Sequence, residues 1–443
     1  MSAPSETARQ WVHLGSGAFA LLLRYLDWWQ AAAFAASALV FNAVVLPHVG
    51  GRRLYRPADE ARGFPLGILL YPFAVLSLIV IFPSRLDIAA SAWAILAFGD
   101  GAATLVGQRL RSRPLPWNRE KTIAGTAAFV ALGCAGGVAL AWWTRTSTVP
   151  EPPLLFVFAA PAIAAVAAAL VETIPIRLDD NVSVPATAGV VLWIASLCSA
   201  ESAAASREAV LAALPWAFAV NGVASWLGYR ARTVIISGLI GGFSVGMVIY
   251  VGAGGAAWLL LFATFLAASA ASRFGLKRKT LLGIEEERGG RRGAGNAIAN
   301  CGVAAAAAIA ACVTPYRAEA LLAMTAALAA GGSDTVASEI GKAWGRATYL
   351  VTTLRRARPG TPGAMSLEGT AAGIVAAFAL AAIGAALGLI PRDAITAVVV
   401  AATAGALIES ALGATLEGPG ILNNDMLNFL NTAASATVVL ILR

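Results

Sequence analysis

Long apolar runs set the strongest limit on what this chain can fold into. Stretches such as Leu154–Val171 and Leu367–Leu389 are long and apolar enough to cross the hydrocarbon of a bilayer as helices. In lipid, every backbone N–H and C=O must be paired inside its own segment, so runs of this kind fold as α-helices. The hydropathy pattern predicts an all-α polytopic membrane protein with about fifteen transmembrane helices. They are expected at 11–30, 31–47, 65–83, 87–106, 122–142, 154–172, 184–200, 212–228, 233–251, 254–272, 295–314, 318–338, 367–389, 394–413 and 426–442. Charged residues make up 13% of the chain, where a soluble domain carries about 25%, so a soluble enzyme is excluded.

The start, MSAPSETARQ, is polar and shows no cleavage site after an apolar core, so the first span is expected to act as its own insertion signal. Cys134, Cys198, Cys301 and Cys312 lie in apolar runs without metal-ligand spacing and read as small core residues. Two histidines exclude a His-rich metal site. The net charge of +8 belongs to the loops and calls for no nucleic-acid partner. Loops after even-numbered spans, with the N-terminus, hold most of the Lys and Arg. Arg85, Arg145, Arg207, Arg230, Arg232, Arg317, Arg392 and Arg443 are assigned to the other face. The positive-inside rule places the basic face in the cytoplasm, of a bacterial cytoplasmic membrane on this reading. Topology and anionic lipid account for the charge itself. They do not account for the Gly, Asn, Thr and acidic residues in the same loops, which suggest binding of a polyanion.

The chain reads as two related halves. GDGAATLVGQ at 99–108 aligns with SDTVASEIGK at 333–342, pairing Asp100 with Asp334 and Gly107 with Gly341. KTIAGTAAF at 121–129 aligns with MSLEGTAAG at 365–373, and Glu172 of LVETIPIRLDDN aligns with Glu409 of LIESALGAT. Two parallel seven-helix repeats joined by one extra span, 212–228, place both sets of polar blocks on one face. The domains are then 1–205 and 206–443.

Asp100 and Asp334 sit near the ends of otherwise apolar spans. An ionisable residue at that depth is costly and points to function; a buried hydrogen bond to a neighbouring helix is the bland alternative. A carboxylate beside a basic loop suits Mg²⁺, which is held by one or two carboxylates plus substrate phosphates. Asn118, Lys121 and Thr122, with Gly125, precede a helix whose N-terminal N–H groups suit phosphate. A simple helix cap with a topogenic lysine explains that loop equally well. Arg358, Gly360, Thr361, Gly363, Ser366 and Gly369 repeat the logic in the second half without a lysine. Asp179, Asp180 and Asn181 with Glu172 form an acidic edge, where Asp180 suits a metal or an acceptor of a hydroxyl proton; its counterpart keeps only Asp425 as an acid. His13 reads either as a core histidine or as a proton-transfer or phosphate-binding group. In GIEEERGGRRGAGNAIAN at 283–300, Arg291 and Arg292 suit a phosphate, and Asn296 and Asn300 share a helix face.

These motifs resemble two families. HLGSG at 13–17, GILLYP at 67–72, FGDGAATLVG at 98–107, PWNREKTIAGT at 116–126 and the block at 170–185 resemble the phytol and dolichol kinase family of CTP-using polyprenol kinases. GIEEERGGRRGAGNAIAN, SDTVASEIG, TTLRRARPGTPGAMSLEGT and NNDMLNFLN resemble the phytyl-phosphate kinase family. Both families look like relatives of the phosphatidate cytidylyltransferases. The resemblance implies a bifunctional isoprenoid salvage kinase, a phosphotransferase that takes an alcohol of phytol or geranylgeraniol type to its monophosphate and then to a prenyl diphosphate. CTP is the implied donor, with Mg²⁺. It implies that Asp100, Lys121 and Asp180 hold the nucleotide and metal in the first half, and Asp334, Arg358, Thr361 and Asp425 in the second. Glu172, His13 and Glu409 join them as candidate catalytic groups. The chain has Ala124 where the dolichol kinase pattern has an acid, which tilts the substrate towards shorter alcohols. Two other readings stand beside it, a CTP-dependent cytidylyltransferase making a CDP-lipid and a membrane transporter with parallel repeats.

Overall fold

The computed structural model describes residues 6–49, 65–110, 112–175, 178–281 and 291–443, with backbone alone at 6–9 and 276–277. It separates into two compact units, Met1–Leu197 and Cys198–Arg443. The expected boundary at 205/206 falls inside a single long helix, Ala200–Arg230, which belongs wholly to the second unit.

The N-terminal unit runs through α1 (Glu6–Ser16), a 3-10 segment (Gly17–Arg24), α2 (Trp28–Val40) and α3 (Leu66–Ile81). It continues with α4 (Leu86–Arg109), α5 (Ile123–Thr144), α6 (Leu154–Glu172) and α7 (Asp180–Ser196). The C-terminal unit comprises α8 (Ala200–Arg230), α9 (Ile236–Ala253), α10 (Gly255–Arg273) and the short α11 (Leu276–Leu281). Then follow α12 (Ala294–Val313), α13 (Arg317–Trp344), α14 (Leu367–Ala386), α15 (Ile395–Leu412) and α16 (Asn424–Ile441). Between α13 and α14 a hairpin pairs β1 (Thr348–Leu350) with β2 (Ala364–Ser366), antiparallel, with Thr348 opposite Ser366.

The polytopic all-α class holds. Among the described residues, 11 helices are long and apolar enough to span a membrane. Four expected spans are realised otherwise. Residues 11–30 are broken between α1 and the 3-10 segment, because Gly15 and Gly17 weaken the helix there. The spans expected at 65–83, 184–200 and 426–442 become α3, α7 and α16, which are shorter or more polar; α16 carries Asn424, Asn428 and Asn431.

Interiors are built from small residues. Ala20, Ala94, Ala164, Ala168, Ala304, Ala308 and Ala329 are all fully buried. Lipid offers helices no hydrophobic drive to associate, so close backbone approach through Ala and Gly holds them together. The large apolar side chains, such as Trp216, Phe218 and Phe378, point outward instead.

One assignment of charge is corrected. The Arg292 N–H donates to the Thr233 carbonyl at 3.0 Å, and the Ile235 N–H donates to the Arg292 carbonyl at 3.1 Å. The turn carrying Arg230 and Arg232 therefore lies at the same end of this unit as Arg291 and Arg292. The cause is register: α8 is an even-numbered span, so its C-terminal end belongs to the basic face.

Candidate functional site

In α4 the regular helix gives way to a π-turn over Ile95–Asp100 before resuming at Gly101. Such turns re-aim side chains and recur at functional sites. The glycines beside Asp100 are dictated by packing. A Cβ on Gly99 would meet the Phe129 ring at 2.9 Å, and one on Gly101 would meet Leu14 at 2.9 Å. Asp100 is thereby held close to α1, where the His13 Nε2 lies 3.6 Å from its Oδ2 and 3.2 Å from the Leu96 carbonyl oxygen.

Glu172 ends α6 and is buried; Asp180 opens α7 behind the cap formed by Asp179, whose carboxylate accepts from the Asn181 N–H at 3.0 Å. The loop before α5 docks onto Thr173, the residue after Glu172. The Trp117 indole N–H donates to the Thr173 hydroxyl at 3.2 Å, and the Asn118 amide donates to the Thr173 carbonyl at 3.1 Å. That docking delivers Lys121, whose Nζ donates to Glu172 Oε1 at 2.6 Å and to Asp180 Oδ2 at 3.0 Å. Burial pulls the Lys121 ammonium down, but the carboxylates of Asp180 and Glu172 more than reverse this and hold it above the ordinary lysine range. It is cationic at neutral pH.

Ligand oxygens of Asp100, Glu172 and Asp180 all lie within 4.8 Å of one another. Opposite oxygens around Mg²⁺ stand about 4.2 Å apart, twice a bond of 2.0–2.1 Å. Only one pair of three ligands can stand opposite, and adjacent oxygens stand about 2.9 Å apart, so the three carboxylates fit one Mg²⁺ after drawing together by up to about 2 Å. Formal charge agrees: three carboxylates and one ammonium sum to −2, the charge a divalent cation neutralises. Beside the cluster opens a polar cavity of about 290 Å³, bounded by Thr104, Gln108, Lys121, Thr122 and Glu172.

The C-terminal unit builds the same small constellation. Thr122 caps α5 by accepting from the Gly125 N–H at 3.2 Å; Ser366 caps α14 by accepting from the Gly369 N–H at 3.0 Å. A Cβ on Gly107 would stand 3.2 Å from Thr122 Oγ1, and one on Gly341 would stand 2.9 Å from Ser366 Oγ. Around this common frame the acids differ. Asp334 and Glu409 lie close enough to interact electrostatically, and Glu409 Oε2 is buried without a hydrogen-bond partner among the described residues. Asp425 lies instead against Gly295 at the start of α12, where a Cβ would collide with its Oδ2. Among the described residues, these three acids do not form a cluster like that of Asp100, Glu172 and Asp180.

Several of the expected site residues have partners within the protein. Asn118 is buried and spends both ends of its amide on the protein, accepting from the Glu120 N–H as well as donating to Thr173, so it positions the loop. Gly363 is a packing residue, because a Cβ there would collide with Ser410 and Ala414. Gly360 takes a φ of +84° at the tip of the hairpin loop, and the Thr361 hydroxyl donates to the Arg358 carbonyl at 2.8 Å. Arg358 is exposed and does not line the cavity that contains Arg292. Arg291 is exposed, whereas Arg292, Asn296 and Asn300 face that cavity. The acids 285–287 and Arg288 lie outside the described residues.

Two polar groupings escape a reading of sequence. The Tyr71 hydroxyl accepts from the Ser16 hydroxyl at 2.9 Å and from the Trp93 indole N–H at 2.8 Å, and its ring meets the His13 ring edge-on at 4.6 Å. The signal was present, since Ser16 and Tyr71 belong to the HLGSG and GILLYP blocks, but no spacing rule joins them. In the second unit Lys279 and Glu339, 1% and 2% exposed, form a buried ion pair. A lysine therefore does meet an acid of the SDTVASEIG block, from a short helix far away in sequence.

The chain is similar to several known membrane proteins. The family model described as Integral membrane protein DUF92 matches residues 219–436. An uncharacterised membrane protein of Synechocystis sp. is 38% identical over 44% of this chain and 77% of its own. Protein VTE6, chloroplastic, of Arabidopsis thaliana is 36% identical over 47% of this chain, and Probable phytol kinase 2, chloroplastic, of Glycine max is 29% identical over 40%. The chain spans 64% and 61% of those last two, under two thirds of each. No solved structure matches.

Proposed function

The chain belongs to the integral membrane protein family DUF92, and we propose that it is an isoprenoid lipid kinase working in two steps. The N-terminal unit phosphorylates an isoprenoid alcohol, and the C-terminal unit phosphorylates the monophosphate. The observation that carries this reading is the carboxylate cluster of Asp100, Glu172 and Asp180 with Lys121 inserted, beside a polar cavity. The likeness to a protein named phytol kinase supports the substrate class.

Phosphoryl transfer is mostly positioning and charge neutralisation. In the first step the alcohol oxygen bonds to the terminal phosphorus of CTP, and the bond from that phosphorus to the bridging oxygen breaks. CDP leaves, and the hydroxyl proton passes to Asp180, the most exposed acid of the cluster. Mg²⁺ held by Asp100, Glu172 and Asp180 would supply charge neutralisation at the transferred phosphoryl group. Lys121 stands within reach of the same carboxylates and of the cavity, so it is placed to share the donor phosphates. In the second step the acceptor is already an anion and needs no base; Arg292, Asn296 and Asn300 offer it donors. A cytidylyltransferase would release pyrophosphate from the same donor. The test is purified protein in detergent with labelled CTP or ATP and a panel of isoprenoid alcohols and monophosphates. CDP with mono- and diphosphate products is the expected outcome; pyrophosphate release or no lipid product removes the proposal.

Both sites are assigned to the cytoplasmic face. Arg113 and Arg356 flank the loops that carry Lys121 and Arg358. In a cysteine-free background, Arg113→Cys and Arg356→Cys should resist a membrane-impermeant maleimide in intact cells and react after lysis. Labelling in intact cells overturns the orientation.

A further inference from the structure

A second cavity of about 130 Å³, open at its mouth, lies within the C-terminal unit between α8, α9, α10 and α12. Its two ends differ in chemistry. At one end stands Arg292, and Asn296 and Asn300 follow it along α12. At the other the Trp258 indole N–H donates to Asn221 Oδ1 at 2.9 Å, with the Phe262 ring stacked on Trp258 at 5.2 Å. Between them the walls are largely apolar, with the side chains of Asn296 and Thr264 among them. A polar head site joined to a largely apolar trough that opens at its mouth fits an amphiphile.

Helix α9 measures the trough. Gly238 packs directly on the Arg292 carbonyl, and Gly246 packs directly on the Asn221 side chain. The two are eight residues apart, about 12 Å at 1.5 Å per residue, so α9 runs from the polar end to the Trp258 end. Glycine in a membrane helix ordinarily marks a close helix contact, and Gly238, Gly241 and Gly246 all obey, each facing atoms of a neighbouring segment. Gly242 lines the cavity, yet a Cβ there would have nothing within 4 Å. Its missing side chain makes room for no part of the protein. It leaves the middle of the trough open, about 6 Å from the level of Arg292.

We propose that this cavity holds the isoprenoid tail of the monophosphate acceptor, and that Gly242 sets the length of tail that passes towards Trp258. The proposal rests on the kinase reading and gives it a specificity-determining residue. Leu at 242 would project into open space, so the helix keeps its packing while the trough closes midway. Gly222 on α8 provides the control: it too has nothing within 4 Å of an added Cβ, but it does not line the cavity.

The experiment compares kcat/KM for geranyl, farnesyl and geranylgeranyl monophosphate in the wild type, Gly242→Leu and Gly222→Leu. Gly242→Leu should lower the geranylgeranyl-to-geranyl ratio at least tenfold, and Gly222→Leu should leave that ratio at its wild-type value. An unchanged ratio in Gly242→Leu, with an active wild type, overturns the proposal and leaves the kinase reading intact. If the wild type makes no diphosphate, the kinase reading fails. The cavity is then judged by a diazirine-tipped isoprenyl monophosphate. Labelling on α10 near Trp258 that is lost in Gly242→Leu upholds the tail site. Labelling elsewhere, or equal competition by phosphatidic acid, overturns it.

Discussion

Asp100→Asn is expected to reduce phosphorylation of the alcohol at least a hundredfold while the protein stays folded in the membrane. Asparagine keeps the size of the side chain and removes its charge, so the packing of Gly99 on Phe129 and of Gly101 on Leu14 is preserved. The formal charge of the cluster drops from −2 to −1, and a divalent cation is no longer neutralised. Loss of a hundredfold corresponds to about 2.7 kcal/mol of transition-state stabilisation at ~1.4 kcal/mol per decade, an ordinary figure for a weakened metal centre. The residual activity should need more Mg²⁺ for half-saturation, which a structural defect would not produce. Full activity with unchanged Mg²⁺ dependence makes Asp100 a structural residue. Lys121 sharpens the interpretation, because it is the cation that satisfies Glu172 and Asp180 in the structure described here. An arriving metal must compete with that ammonium, and the proximity of the polar cavity gives the lysine somewhere to go.

What the sequence made legible follows a physical rule. Acids in apolar runs stand out because burying them is costly, and Asp100, Glu172 and Asp180 were found that way and do converge. Lys121 stood out only with the motif around it, and the docking of Trp117 and Asn118 on Thr173 explains its reach. The partners of Asn118 are not legible in sequence, because a polar residue in a loop looks the same whether its amide faces a ligand or a neighbouring carbonyl. The cavity above Gly242 was invisible for a related reason: residues that line an apolar trough, a helix contact or the lipid all share one composition. The Tyr71–Ser16–Trp93 network and the Lys279–Glu339 pair join segments far apart in sequence, which hydropathy cannot connect. Arg230 and Arg232 show that charge assignment depends on register, since one short turn after α8 decides the face.

The second unit should part from the first when its own acid is removed. Asp334 and Glu409 are half-buried and close enough to interact in the C-terminal unit, and no lysine bridges them as Lys121 bridges Glu172 and Asp180 among the described residues. Two carboxyl groups this close hold their place only with a shared proton or a cation, so the pair is responsive to whatever cation the site recruits. Asp334→Asn is therefore expected to accumulate monophosphate from a supplied alcohol, with diphosphate reduced at least a hundredfold, again about 2.7 kcal/mol. Asp100→Asn should do the reverse, making nothing from the alcohol yet converting supplied monophosphate. The separation has a physical basis in the acceptors: a neutral hydroxyl needs a base and the charged cluster of the first unit, whereas an ionised phosphate needs the donors of Arg292, Asn296 and Asn300. Thin-layer chromatography of labelled products from the two variants, each given alcohol and then monophosphate, reads the outcome directly. If either substitution alone stops both conversions, the two units contribute to one composite site, and the assignment of one step to each unit fails.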